Sequence, residues 1–107
     1  TLSLHDALPI LGLGAVSSLQ KYNFNKAFFG TNGITVDSGF TTPDTNEAYV
    51  KMEAMKHAQK CYVLADSGKF GTCTSITTAD ISDATIITGK GGEKEYLEEA
   101  DIIEVEE

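Results

Sequence analysis

Short apolar runs alternate with polar, glycine-bearing stretches along this chain, and segments with helical spacing lie between several of them. The run at residues 61–65, CYVLA, is unbroken and apolar, the pattern of a strand buried on both faces of a parallel sheet rather than half-exposed in an antiparallel one. Residues 26–29, KAFF, read as a second buried strand and residues 84–88, ATIIT, as a third. A short strand at 75–78, a turn at 80–83 and a closing strand at 101–105 complete the set. Residues 14–22 carry Ala15, Val16, Leu19 and Tyr22 at helical spacing, with Ser17, Ser18, Gln20 and Lys21 on the other side. The strongest helix signal begins at Thr42, with Thr42 as N-cap, Pro43 at the first helical position and Asp44 complementing the helix dipole. Its apolar face is read as Ala48, Met52, Met55 and Ala58, with Lys51, Lys56 and Gln59 elsewhere. Gly91 and Gly92 open a further helix running to about residue 100. Residues 34–42 are rich in threonine, glycine and turn formers, too polar for a core element, and read as a lobe beside the crevice. This alternation of apolar runs and helices predicts an α/β fold built on a parallel sheet.

Composition narrows the partners. At 107 residues the chain is one domain or part of one. Its apolar runs fall far short of the roughly 20 residues of a membrane-spanning helix, and the N-terminus lacks the layout of a signal peptide, so no membrane partner is expected. Sixteen acidic residues against eight lysines and no arginine give a net charge of -8. Without clustered Lys and Arg to displace counterions or to read bases, this segment by itself does not bind nucleic acid. Residues 93–107 hold eight of the acids against Lys94 alone, a run read first as a solvated helix face. Cys61 and Cys73 have no metal-ligand spacing and His5 and His57 lie far apart, so neither a metal nor another cofactor is expected. A disulfide between the two cysteines stays open on sequence, although the composition fits a reducing cytoplasm. Residues 1–10, TLSLHDALPI, show no period and a helix-breaking proline. They are expected to be a leader foreign to the domain, which then occupies residues 11–107.

Candidate chemistry concentrates where the 61–65 strand stops. Asp66, Ser67, Gly68 and Lys69 follow at its carboxyl end, the edge where open α/β sheets place their ligand crevice. One reading is ordinary turn chemistry, with Asp and Ser bonding local N–H groups and Lys69 solvating the surface. The other makes Lys69 a point charge for a small anion, with Gly68 permitting close backbone approach and Ser67 adding a donor. The strand at 26–29 likewise ends in a polar loop, Gly30-Thr31-Asn32-Gly33. Glu47, near the start of the central helix, is either a dipole partner or an acceptor on the crevice side.

Three separated segments, FNKAFFGTNGI, TTPDTNEAYVKMEAMKHAQKCYVLADSGKFG and DISDATIITG, agree in order and spacing with one family. Together they resemble the C-terminal effector-sensing domain of the DeoR family of bacterial sugar-metabolism repressors, with wording closest to fructose-operon repressors of low-GC Gram-positive bacteria. The match covers residues 13–107 and rests on a Gly-x-(Asp/Asn)-Gly-Ile loop, a Thr-Thr-Pro helix start leading to Glu-Ala-x-Val-Lys, and an Asp-Ser-x-Lys-Phe-Gly loop. The resemblance implies a Rossmann-like three-layer α/β fold similar to ribose-5-phosphate isomerase. It also implies a cytoplasmic repressor, homo-oligomeric at full length, that senses a phosphorylated sugar, with fructose 1-phosphate the best candidate. On it Asn32 and Gly33 line the sugar site, Glu47 accepts from sugar hydroxyls, and Asp66, Ser67 and Lys69 close the site. The family's winged helix-turn-helix, which contacts DNA, and the first half of its sensor domain fall outside this segment, which then corresponds to the C-terminal half. A sheet cut there exposes a strand edge and favours self-association.

Two other classes of function compete. The similar isomerases move protons on sugar phosphates with carboxylates, and Glu47 and Asp66 are possible bases here. Asn32, however, stands in the loop that would present such groups and cannot serve as a base at neutral pH. A plain oligomerisation module would leave the polar loops without a ligand.

Overall fold

The computed structural model describes residues 17–89 and 99–105. Among the described residues, seven strands and one whole helix follow in the order β1 (Phe24–Gly30), β2 (Gly33–Thr35), β3 (Gly39–Thr42), α1 (Thr45–Lys56), β4 (Ala58–Leu64), β5 (Ile76–Ala79), β6 (Thr85–Thr88) and β7 (Asp101–Glu104). Single 3-10 turns occupy Ser67–Lys69 and Ile81–Asp83. The expected leader at 1–10 and most of the helix expected from Gly91 lie outside the described residues, as does the first part of the helix expected at 14–22, of which residues 17–19 are helical.

The apolar runs assemble as read: β1, β4, β6 and β7 form one sheet in that order, and every neighbouring pair in it is parallel. The register sets Phe29 beside Val63, Val63 beside Ile86 and Ile86 beside Ile102. Phe29, Val63 and Ile86 are buried, so this row is the floor of the core. Val50 and Ala54 of α1 join Phe29 and Phe24 in one cluster, while Ile34, Phe40, Ile81 and Ala84 gather on Val63 and Ile86 in the other. Met55 and Cys61 touch both clusters and make them continuous.

Three readings of the sequence are corrected. First, among the described residues the 61–65 strand is not covered on both faces. The opposite row, Gly30, Leu64, Ile87 and Ile103, leaves Leu64 49% exposed. Two positions down the same face Phe28 stacks on Tyr62 at 5.0 Å and is itself exposed. Among the described residues α1 and the second sheet cover only the other face, so an apolar run long enough for a two-sided core is covered on one side.

Second, residues 34–42 hold core strands and are not a polar lobe; only the tip at Val36 and Asp37 is exposed. Strands β2, β3 and β5 form an antiparallel three-stranded sheet in which Ile34, Phe40, Thr41 and Thr42 are almost fully buried. Threonine is β-branched and packs in a sheet once its hydroxyl is satisfied. Thr41 Oγ1 accepts from the Thr74 N–H at 3.0 Å and Thr42 Oγ1 from the Asp44 N–H at 3.4 Å. Gly39 opens β3 with φ 71°, and a Cβ there would sit 2.1 Å from the Ala79 carbonyl. The polar look of the segment reflects these local needs.

Third, the helix starts later and buries a different face. Thr42 belongs to β3, and Asp44 is the N-cap, with extended φ, ψ and its Oδ1 accepting from the Glu47 N–H at 3.0 Å. Such a cap contributes about 1 kcal/mol. The buried residues of α1 are Ala48, Val50, Lys51 and Ala54, whereas Met52 is exposed and Met55 half-buried. Ala58, counted with the helix face, opens β4, because the helix ends at Lys56 with His57 as C-cap.

Candidate functional site

Parallel pairing brings the expected loops together. Gly30 and Leu64 are register partners at the carboxyl ends of neighbouring strands, so the loops that follow them leave the sheet side by side. The first is stitched to β3: the Asn32 N–H donates to the Thr41 carbonyl at 3.0 Å, and Thr31 Oγ1 lies 3.1 Å from the same oxygen and 3.0 Å from the Gly33 carbonyl. Gly33 is buried, and a Cβ there would fall 2.1 Å from the Thr72 carbonyl, so only glycine lets the 72–74 segment run across this loop. Asn32 is exposed beside it.

The second loop folds as a turn. The Gly68 N–H donates to Asp66 Oδ1 at 2.9 Å, the Lys69 N–H to the Asp66 carbonyl at 3.1 Å, and the Phe70 N–H to the Ser67 carbonyl at 3.4 Å. Asp66 thus has the structural task that the turn reading assigns it. Ser67 is exposed, Lys69 is half-buried, and Lys69 forms no ion pair with a described residue. The Gly71 N–H then donates to the Ile34 carbonyl at 2.8 Å, which ties this loop to β2 and so to the first one.

The residue that reading by residue type missed is Lys51. Its Nζ donates to the Gly30 carbonyl at 2.9 Å and pairs with Glu47 Oε1 at 3.0 Å, while the residue is only 4% exposed. The side chain of Glu47 is 32% exposed, so the acid and not the lysine reaches solvent. An exposed pair at this spacing is worth about 0.3–0.5 kcal/mol; breaking a buried one costs about 3–5 kcal/mol because a charge is stranded. Lys51 lies three residues from both Ala48 and Ala54, a spacing that could have flagged it as inward-facing. Of the six expected site residues, then, Asn32 and Gly33 share one loop, Asp66, Ser67 and Lys69 the neighbouring one, and Glu47 joins the first through Lys51.

Elsewhere the chemistry is ordinary. Two surface clefts, of about 260 and 390 Å³, share Gln59, Cys61 and Asp83, and the smaller reaches Thr85 and Asp101, at the opposite, amino-terminal edge of the sheet. Neither is lined by an expected site residue. Both cysteines are free thiols, which closes the disulfide question, and burial, then the Asp83 charge, pushes the Cys61 thiol up. Among the described residues no group of three or more His, Cys, Asp or Glu could hold a metal ion, and no helix is long and apolar enough to cross a membrane.

Comparison with known proteins follows the same lines. The family profile described as the DeoR C terminal sensor domain matches residues 5–90. The chain is 46% identical over 84 residues to the uncharacterized HTH-type transcriptional regulator FruR of Bacillus subtilis (strain 168), covering 78% of this chain and 34% of that protein. It is 35% identical over 89 residues to the HTH-type transcriptional regulator IolR of the same organism, covering 82% and 36%. To the HTH-type transcriptional regulator GlpR of Haloferax volcanii it is 32% identical over 82 residues, covering 77% and 32%. The chain therefore spans about a third of the length of these relatives. All three are named as HTH-type transcriptional regulators, which gives the isomerase reading no support.

Proposed function

The chain belongs to the DeoR family, and from that premise we propose that it is the effector-sensing part of a repressor of sugar metabolism, binding a phosphorylated sugar. The observation that carries this reading is the placing of two polar loops at adjacent carboxyl strand ends, with Lys69 free of ion pairs to described residues and Glu47 held at the rim of the first loop. A dianionic phosphate needs a cation and N–H or hydroxyl donors, and Lys69 with Ser67 supplies them. Sugar hydroxyls need acceptors, and the part-exposed carboxylate of Glu47 with the side chain of Asn32 supplies those. Gly33 lets the 72–74 segment pass close to the loop that carries Asn32, and Asp66 keeps the second turn in shape. Fructose 1-phosphate is the effector we favour.

In the whole regulator this binding shifts the balance between states of different operator affinity, which requires the sugar to bind the two states unequally. DNA is contacted by a separate winged helix-turn-helix, in keeping with the net charge of -8 on this segment. The cytoplasm, where operator DNA resides, is the compartment of action, and the working form is a homo-oligomer.

Calorimetric titration with fructose 1-phosphate tests the site. Lys69→Ala removes a charge-assisted contact and lowers affinity by about tenfold or more without unfolding the domain. Equal affinity in the variant would remove Lys69 from the site.

A further inference from the structure

Lys51 has no place in the two loops just described, yet it is the most deeply buried charge among the described residues. A lysine this enclosed is tolerated only when its ammonium is paired. Its two partners are informative. One is Glu47, a turn away on the same helix; the other is the carbonyl of Gly30, 21 residues earlier and the last residue of β1. Thr31, Asn32 and Gly33 follow directly. The ammonium therefore joins the rim of α1 to the root of the loop that carries Asn32 and Gly33.

The pairing has a direction. Oε1 of Glu47 is taken by Lys51 while the side chain stays one-third exposed, which leaves the carboxylate accessible and with acceptor capacity to spare. The Glu47 N–H is itself held by the Asp44 cap at 3.0 Å, so both ends of this residue are anchored. A carboxylate neutralised from below suits the uncharged hydroxyls of a sugar better than its phosphate, which a bare carboxylate repels and Lys69 attracts.

We propose that Lys51 is a positioning residue of the effector site, holding Glu47 for a sugar hydroxyl and locking the Gly30–Gly33 loop to α1, so that the polyol end lies at Glu47 and the phosphate end at Lys69. This rests on the sugar-phosphate reading above and adds the orientation of the ligand and the residue that enforces it. Arginine in place of Lys51 keeps the charge but not the compact ammonium, and methionine keeps the length and loses both bonds.

The test is a double-mutant cycle on the chain, with fructose 1-phosphate affinity read by calorimetry and amide hydrogen exchange read without ligand. Glu47→Gln and Lys51→Met each weaken binding by about tenfold, and the double variant is little worse than either, because the two act as one unit. Lys51→Arg recovers part of the loss. Without ligand, Lys51→Met speeds exchange at the Asn32 amide relative to Val63 in the core of the sheet, a change confined to the loop. Losses that multiply to about a hundredfold in the double variant would make Lys51 independent of Glu47 and overturn the proposal. Unaltered exchange at Asn32 in Lys51→Met would overturn the tether. If the unaltered chain binds no sugar phosphate, the sensing reading falls by itself, and the exchange measurement still decides whether Lys51 holds the loop.

Discussion

Two lysines near one sheet edge, Lys51 on α1 and Lys69 on the 66–69 turn, have opposite circumstances. Lys51 lies under the 30–33 loop, sealed from solvent, with Gly30 and Glu47 using its donors. Lys69 lies on the 66–69 turn, half-buried and without an ion pair to a described residue. The first region is a packed assembly of helix, strand end and loop; the second is a local turn closed by the bonds of Asp66. A cation already committed to the protein positions other groups, and an uncommitted one is available to a ligand. Residue type alone does not separate these roles, and burial with partner geometry does.

Stability is the strongest way to break this comparison. Lys51→Ala strands Glu47 over a cavity and leaves the Gly30 carbonyl without its side-chain donor, so denaturant unfolding is expected to lose about 3 kcal/mol. Lys69→Ala changes the same quantity by less than about 0.5 kcal/mol. Equal losses would mean that the two lysines do the same work. The glycines sharpen the contrast with a smaller effect. Gly33→Ala forces a Cβ to within 2.1 Å of the Thr72 carbonyl, whereas at Gly68 the nearest atom is Asp66 Oδ1 at 3.1 Å. Thermal melting is expected to show a loss of about 2 kcal/mol at Gly33 and under about 1 kcal/mol at Gly68. A Gly68 variant as damaged as the Gly33 one would show that the turn is as tightly built as the first loop.

The thiols give the mildest contrast. Cys61 lies beneath α1 with Sγ directed at the Met55 carbonyl at 3.9 Å, and its pKa is raised by burial and then by Asp83; Cys73, past the second turn, is exposed. Alkylation near neutral pH is therefore expected at Cys73 well before Cys61, since the thiolate is the reacting form. The raised pKa also has a sign in stability. The folded state prefers the protonated thiol, so this contribution is complete below the unfolded pKa and is lost as pH rises through the folded one. Cys61→Ser should flatten that alkaline decline in a series of melts, and an unchanged slope would assign it to other groups.

The parallel sheet was legible because its strands are short apolar runs of the right length. The candidate edge was legible because polar, glycine-bearing loops follow those runs at Gly30 and Ala65, and the parallel register sets the two loops side by side. The second sheet was not, because Thr41, Thr42 and Gly39 read as turn formers until Thr74, Asp44 and Ala79 are seen to use them. The helix cap moved from Thr42 to Asp44 for the same reason: β3 claims Thr42. Lys51 was assigned to the polar side by its charge, although its spacing from Ala48 and Ala54 is that of a buried position. The exposure of Leu64 on β4 among the described residues was not legible, because the composition of a run reports how apolar a strand is, not how many of its sides are covered.

The central claim is that the carboxyl edge of the parallel sheet takes a sugar phosphate. It is tested most directly by a two-dimensional amide spectrum of the chain, recorded with and without fructose 1-phosphate. The resonances of Asn32, Gly33, Gly68 and Lys69 are expected to move together along one titration curve. Shifts confined to Gln59, Cys61 and Asp83, at the opposite edge, or no shifts in a well-dispersed spectrum, would contradict it.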